Sequence, residues 1–144
     1  MFKVSAKLEY GLRAMILLAE DYQKKKLSLS QMSEKEAISR EFLAQLMLNL
    51  KKANLVESYK GISGGFILAK NPSEITLREI IEALEGPIKL IECIHVNDTC
   101  TKQNFCQSQK VWDFIESKIL KLLEDINLED LTKGTLRKEE VLSL

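Results

Sequence analysis

Ser39-Arg-Glu-Phe-Leu-Ala-Gln-Leu-Met-Leu-Asn-Leu-Lys-Lys-Ala-Asn-Leu-Val-Glu-Ser-Tyr-Lys-Gly-Ile-Ser-Gly-Gly-Phe-Ile-Leu-Ala69 changes its hydrophobic period halfway along. In its first half Phe42, Leu43, Leu46, Met47 and Leu50 recur three and four residues apart, the spacing of one face of an α-helix. Ser39 stands where an N-cap is needed, so the pattern predicts a helix over about 40–53. From Leu55 the chain reads instead as two short strands, 55–59 and 65–69. Between them lies Lys60-Gly61-Ile-Ser-Gly64, whose glycines permit the positive φ of a tight turn.

Upstream, Leu8, Leu12, Met15, Ile16 and Ala19 mark a helix over 6–23 with one buried face. Lys24-Lys25-Lys26 is a solvated basic link, and Ser30 is read as the N-cap of a short helix that runs through Ala37. Helix, short helix, helix and hairpin together describe a winged helix-turn-helix, with the hairpin as the wing. The expected fold class is therefore mainly α with one small β-hairpin. Downstream, Asn71-Pro72-Ser73 breaks the chain. Thr76 caps a helix over 77–85 with Glu79 at the capping-box position, and Gly86-Pro87 stops it.

A long helix over 107–126 contains neither glycine nor proline. Val111, Ile115, Ile119, Leu122 and Ile126 form one apolar line on it, and Trp112, Leu120 and Leu123 a second. A helix apolar on two sides must bury both, which calls for a partner subunit and hence a homodimer. Asn127 caps a last turn over 128–132. The expected organisation is a DNA-binding domain over 1–86, a cysteine-rich loop over 87–106, a dimerisation helix over 107–132 and a flexible tail over 133–144. No apolar run is long enough to cross a membrane and the N-terminus lacks the apolar core of a signal peptide, so no membrane partner and a reducing cytoplasm are expected.

Net charge is zero over the 144 residues but divides unevenly. Residues 1–72 carry 12 Lys/Arg against 7 Asp/Glu, a net +5, while residues 73–144 carry 9 against 14, a net −5. The N-terminal half can meet an anionic partner such as double-stranded operator DNA. A recognition helix presents small or polar side chains to the major groove, and Arg40, Glu41, Ala44 and Gln45 meet that need. Gln pairs bidentately with adenine, and Ala44 can touch a thymine methyl. Lys51, Lys52 and the 24–26 run are candidate phosphate contacts, and Ser28, Ser30 and Ser39 are further candidate DNA-binding residues. Lys60, Gly61, Ser63 and Gly64 form the candidate wing contact, with Lys60 in the minor groove.

The three cysteines, Cys93, Cys100 and Cys106, fall within one fourteen-residue stretch. Three is the wrong parity for a disulfide framework, and structural cysteines are usually dispersed through a core. Confinement to one polar loop points to a metal site, for which thiolates are the preferred ligands of soft metals and iron–sulfur clusters. Catalysis has no foothold: there is one histidine, no Gly-x-Ser-x-Gly, no phosphate loop and no metalloprotease helix motif.

Ile38-Ser-Arg-Glu-Phe-Leu-Ala-Gln-Leu46, Leu50-Lys-Lys-Ala-Asn-Leu-Val56, Gly61-Ile-Ser-Gly-Gly-Phe-Ile-Leu-Ala69 and Ile75-Thr-Leu-Arg-Glu-Ile-Ile-Glu-Ala-Leu-Glu-Gly86 resemble the Rrf2 family of bacterial transcription regulators, from residue 1 to about 132. The resemblance implies a homodimer of winged helix-turn-helix domains joined by a long helix. In the cluster-bearing, IscR- and NsrR-like branch it also implies an iron–sulfur cluster, 2Fe–2S or 4Fe–4S, held by three cysteines just before that helix. This chain departs from the IscR-like pattern in a first cysteine gap of six rather than five residues, and in Gln109 where those members carry a histidine ligand. It also has Lys60 where family wings usually carry arginine. NsrR-like members draw a carboxylate from the first helix of the other subunit, and Glu9 occupies the matching position. His95, inside the loop, is the alternative fourth ligand. The resemblance thus implies a regulator controlled by its cluster. An electron carrier, and a zinc- or thiol-based regulator of the same fold, are the competing readings.

Overall fold

In the computed structural model, residues 3–91 and 106–134 are described. Seven of their segments are regular: α1 (Ala6–Glu20), α2 (Leu29–Glu36), α3 (Arg40–Lys52), β1 (Val56–Tyr59), β2 (Gly65–Leu68), α4 (Leu77–Glu85) and α5 (Gln107–Asp125). A 3-10 turn, Pro72–Glu74, precedes α4, and a short α6 (Leu128–Lys133) follows α5. The expected class, mainly helical with a two-stranded antiparallel hairpin, is what forms. Val56 pairs with Leu68 and Tyr59 with Gly65.

One core holds α1 to α4, the hairpin and the start of α6 together. Ala14, Met15 and Leu18 of α1, Met32 of α2, and Leu43, Leu46, Met47 and Leu50 of α3 are buried. Leu55, Val56 and Leu68 of the hairpin region join them, with Ile75, Ile80 and Leu84 around α4. The inward positions read on α3 are therefore its buried face, with Phe42 half-buried against the Tyr10 ring at 6.0 Å. Gly11 lets α4 approach α1: a Cβ there would stand 2.4 Å from a Leu84 methyl.

Each strand is one residue shorter than the sequence reading, α2 ends at Glu36 rather than Ala37, and α6 runs one residue past 132; four further boundaries differ for local reasons. Ser28, not Ser30, caps α2; its hydroxyl accepts the Gln31 N–H while the Gln31 side chain accepts the Ser28 N–H, a complete capping box. Leu27 fixes this start, because it exchanges both backbone hydrogen bonds with Phe66 of β2 and the chain is free to turn only after it. Ser30 sits inside the first turn, exposed. The first helix ends at Glu20 rather than residue 23, where Gln23 adopts φ 63° and the Lys24 and Lys25 N–H groups fold back onto the Asp21 carbonyl. The recognition helix stops one residue early, at Lys52, with Asn54 at φ 60°. The long helix also stops one residue early: Ile126 is extended, its carbonyl accepting the Leu77 N–H at 2.8 Å, and the Leu128 N–H donates to Ile75 at 2.8 Å. This bridge sews the end of α5 to the start of α4. Asn127 caps α6 as expected, and Leu128 is fully buried in the core of the head.

The turn between α2 and α3 is Ala37-Ile38-Ser39. Ala37 adopts the left-handed conformation, φ 54° and ψ 45°, and both it and Ile38 donate to the Ser33 carbonyl. Ser39 caps α3, accepting the Phe42 N–H at 3.2 Å. Thr76 and Glu79 form the expected capping box of α4, and Gly86 ends it at φ 84°. No helix among the described residues is long and apolar enough to cross a membrane.

Candidate nucleic-acid interface and metal centre

The outer face of α3 carries Arg40, Glu41, Ala44 and Gln45, all exposed and none with a side-chain partner among the described residues. A fifth position lies on the same face. Leu48 follows Glu41, Ala44 and Gln45 at the i+7, i+4 and i+3 spacings and is 44% exposed. A leucine in a helical stretch reads as core, so the sequence analysis passed over it; its spacing from Ala44 and Gln45 was the available signal. The face is thus small, polar and locally apolar, the mixture that meets base edges and thymine methyls. Ser39 and Ser28 stand at the N-termini of α3 and α2, with exposed Ser30 one turn away.

The hairpin is held beside this helix by its own contacts. Lys51 donates to the Ser58 hydroxyl at 2.7 Å, tying the end of α3 to β1. Lys26 lies 4.4 Å over the Tyr59 ring, which draws the basic link against the hairpin. The Tyr59 hydroxyl donates to Glu57, and that bond and the charge of the Glu57 carboxylate hold its pKa above the ordinary phenol value. Gly65, at φ 148°, passes so close to Leu27 that a Cβ would stand 2.7 Å from its backbone. The tip is a four-residue turn in which the Gly64 N–H donates to the Gly61 carbonyl at 3.0 Å. Lys60, Gly61, Ile62 and Ser63 are exposed there and Gly64 is half-buried.

Arg13 joins α1 to α2 through Glu36 at 2.7 Å while lying 5.2 Å over the Tyr10 ring. Lys24, Lys25, Lys52 and Lys60 have no ion-pair partner among the described residues, leaving them for phosphates. The Lys51–Ser58 bond thus ties the helix that carries Arg40, Glu41, Ala44 and Gln45 to the hairpin that carries Lys60, Gly61, Ser63 and Gly64.

Of the candidate metal ligands, Cys106 and Glu9 are described; Cys93, Cys100 and His95 lie outside the described residues. Cys106 is the N-cap of α5, half-buried, its Sγ accepting the Gln109 N–H at 3.5 Å. Gln109 thus contributes a backbone N–H at the position where a histidine was sought. Glu9 is exposed in the first turn of α1. Among the described residues no three His, Cys, Asp or Glu side chains gather into a metal-binding group. A set of three thiolates is chemically suited to an iron–sulfur cluster.

The other root of the cysteine loop is also fastened to α5. The Leu90 N–H donates to Glu116 Oε2 at 2.9 Å. Glu116 is 4% exposed, and it is the only charged side chain buried among the described residues. Burying a carboxylate is costly unless it is hydrogen-bonded, so this contact fixes where the loop departs.

The family model described as "Iron-dependent Transcriptional regulator", Rrf2, matches residues 4–134. The chain is 33% identical over 138 residues to the HTH-type transcriptional regulator CymR of Bacillus subtilis, covering 96% of this chain and 95% of that one. The solved structure of that CymR, called the global cysteine regulator of B. subtilis, superposes with a TM-score of 0.76 at 34% identity, over 93% of this chain and 98% of its own. The structure of T. potens IscR superposes with a TM-score of 0.74, also at 34% identity, over 94% and 89%.

Proposed function

Since the chain belongs to the Rrf2 family of DNA-binding transcription regulators, and is not an enzyme, we propose that it is a homodimer whose affinity for operator DNA is set by an iron–sulfur cluster. Cys93, Cys100 and Cys106 would hold the cluster, 2Fe–2S or 4Fe–4S, with Glu9 of the partner subunit as fourth ligand and His95 as the alternative. Bound there, the group supplies one-electron redox chemistry and an iron that oxygen or nitric oxide can attack.

The observation that carries this reading is the attachment of both loop roots to α5: Cys106 is its N-cap, and Leu90 is held by Glu116. A cluster held between these roots therefore acts on the helix whose outer apolar line leaves Val111 exposed among the described residues. Two recognition helices must match half-sites about 34 Å apart, so any change of subunit geometry changes DNA affinity. Cluster status and operator binding are then two ends of one coupling.

Anaerobic purification with iron and sulfide counts, followed by DNA binding of holo and apo protein, tests the proposal. The expected result is a coloured protein whose operator affinity shifts on cluster loss, and whose triple Cys→Ala variant holds no iron. Full iron in that variant would refute it. Glu9→Ala should keep the dimer but change the cluster spectrum, and His95→Ala should not; the reverse result moves the ligand into the loop.

A thiol-based regulator without a cluster is the second reading, favoured by Gln109 and by the similarity to CymR. It predicts iron-free protein whose operator affinity responds to a thiol oxidant and not to iron.

A further inference from the structure

Ile62 is the most exposed large apolar side chain among the described residues, at 110% of its reference area. It occupies the second position of the Gly61–Gly64 turn, the apex of the hairpin. Turn chemistry does not ask for it: proline, aspartate and serine are the usual occupants, and a β-branched residue belongs in a strand. Packing does not ask for it either, since nothing among the described residues covers it. The backbone beneath it is nevertheless closely defined. A Cβ on Gly64 would stand 2.2 Å from the Tyr59 carbonyl oxygen, and Gly61 needs φ 101°. The tip is a fixed mount for one apolar side chain.

What surrounds the mount identifies its occupant. Lys60 lies two residues before it, Lys26 lies on the ring of Tyr59, the last paired residue before the turn, and Lys51 is tied to Ser58. An isoleucine two residues from Lys60, on a hairpin that Lys26 and Lys51 also touch, does not suit a neutral protein surface or an acyl chain. It suits a surface that is anionic at its edges and apolar within, which is the minor groove between two phosphate rows. Apolar wedges of this kind are pressed between base steps by minor-groove proteins. The groove, about 6 Å wide, admits a hairpin tip but not the whole ribbon.

We infer that Ile62 is a specificity-determining wedge that enters the operator minor groove and selects steps lacking a guanine amino group, with Lys60 supplying the charge beside it. The inference rests on the operator-binding reading above. Lys60 is a counterion-releasing contact, whereas Ile62 contributes through surface removed from water, so the two respond differently to salt.

The test uses full-length protein and a duplex that the wild type selects from a randomised pool. Ile62→Ala and Ile62→Ser should each weaken binding about tenfold with an unchanged slope of log affinity against log salt. Ile62→Leu should bind like wild type. Lys60→Ala should flatten that slope by about one. At the base pairs under the wing, wild type should prefer inosine·cytosine to guanine·cytosine, which differ in the minor groove only by the 2-amino group, and Ile62→Ala should lose the preference. Wild-type affinity and preference in Ile62→Ala would overturn the inference while leaving operator binding intact. A wild type that selects no duplex would instead refute the operator-binding reading itself. Ile62 lies outside the core, so both variants should fold as the parent does.

Discussion

The N-terminal head and α5 are built from similar shares of apolar residues and come to opposite ends. In the head, α1, α2, α3, α4 and the hairpin bring their apolar faces into one core whose side chains are almost wholly removed from water. On α5 no apolar side chain is buried; its one buried residue is the charged Glu116. Leu123 of the inner line shares an apolar groove with Leu8, Ile81 and Ile88. The outer line leaves Val111 54% exposed, and the neighbouring Phe114 is 63% exposed over a second groove with Ile119 and Leu122. The head satisfies its own hydrophobic pattern, whereas α5 carries one that the described residues of a single protomer leave partly uncovered. A sequence pattern thus specifies that a face be buried without specifying which chain buries it.

Equal insults to the two regions should therefore give unequal results. Leu46→Ala in the head should cost about 2–5 kcal/mol in denaturant unfolding at every protein concentration, because a cavity opens in a closed core. Phe114→Glu should leave the protomer folded, abolish only the concentration-dependent part of the stability and give a monomer in solution. Equal stability losses at all concentrations in both variants would erase the distinction.

On the exposed face of α3 the change should appear in recognition alone. Gln45→Ala should cost about 1–3 kcal/mol of discrimination at one base pair, read by binding to operator variants, with an unaltered melting curve. A comparable effect on all sequences would move Gln45 from base reading to phosphate positioning.

Glu116 sharpens the comparison from within α5. Glu116→Leu strands the Leu90 N–H and should cost about 1–3 kcal/mol, with loss of hydrogen-exchange protection at that amide. Glu116→Gln keeps an acceptor and should retain most of the protection.

At the start of α4 the effect is smaller and depends on pH. Burial pushes the Glu79 carboxyl up, but hydrogen bonds from Lys70 and the Thr76 N–H, with the charge of Lys70, outweigh it and hold the pKa below the ordinary glutamate value. A depressed folded-state pKa contributes stability above the unfolded value, and that contribution is lost as pH falls through the folded one. The group is largely exposed, so solvent screening limits it to well under about 1 kcal/mol. Thr76→Ala should cost about 1 kcal/mol through the cap, and the melting difference between Glu79→Gln and wild type should shrink as pH falls below the ordinary carboxylate range.

The smallest change should be a gain. Ala37 holds a left-handed conformation that glycine adopts without strain, so Ala37→Gly should stabilise by up to about 1 kcal/mol in thermal or denaturant melts. A loss would show that the freedom glycine adds to the unfolded chain outweighs the relief.

Much of the head was legible because its signals are local. The period of Leu43, Leu46, Met47 and Leu50, the Ser39 cap, the glycines of the wing and the Thr76–Glu79 box each act within a few residues. The Ser28 cap was equally local, since Ser28 and Gln31 spell a capping box, but the neighbouring Ser30 competed for the same role. What decided between them was Leu27, held by Phe66 from nearly forty residues away. Leu48 went unread for the opposite reason: a leucine in an amphipathic stretch does not stand out as an outward residue unless the faces are compared residue by residue.

The cysteine constellation was legible as a composition and not as a site. Spacing placed Cys106 before a helix; it could not reveal that its sulfur caps that helix, nor that a glutamate ten residues further on holds the loop's other root. The amino-acid sequence by itself determined the helices, the hairpin and the family, because period, caps and turn residues act over one or two turns of chain. Only the tertiary structure decided that α6 belongs to the head's core, that Ile126 pairs with Leu77, and that Ile62 stands alone at the apex of a fixed turn. Each of these depends on which distant segment arrives beside a residue, and burial and hydrogen bonding are settled by that neighbour rather than by the residue's own kind.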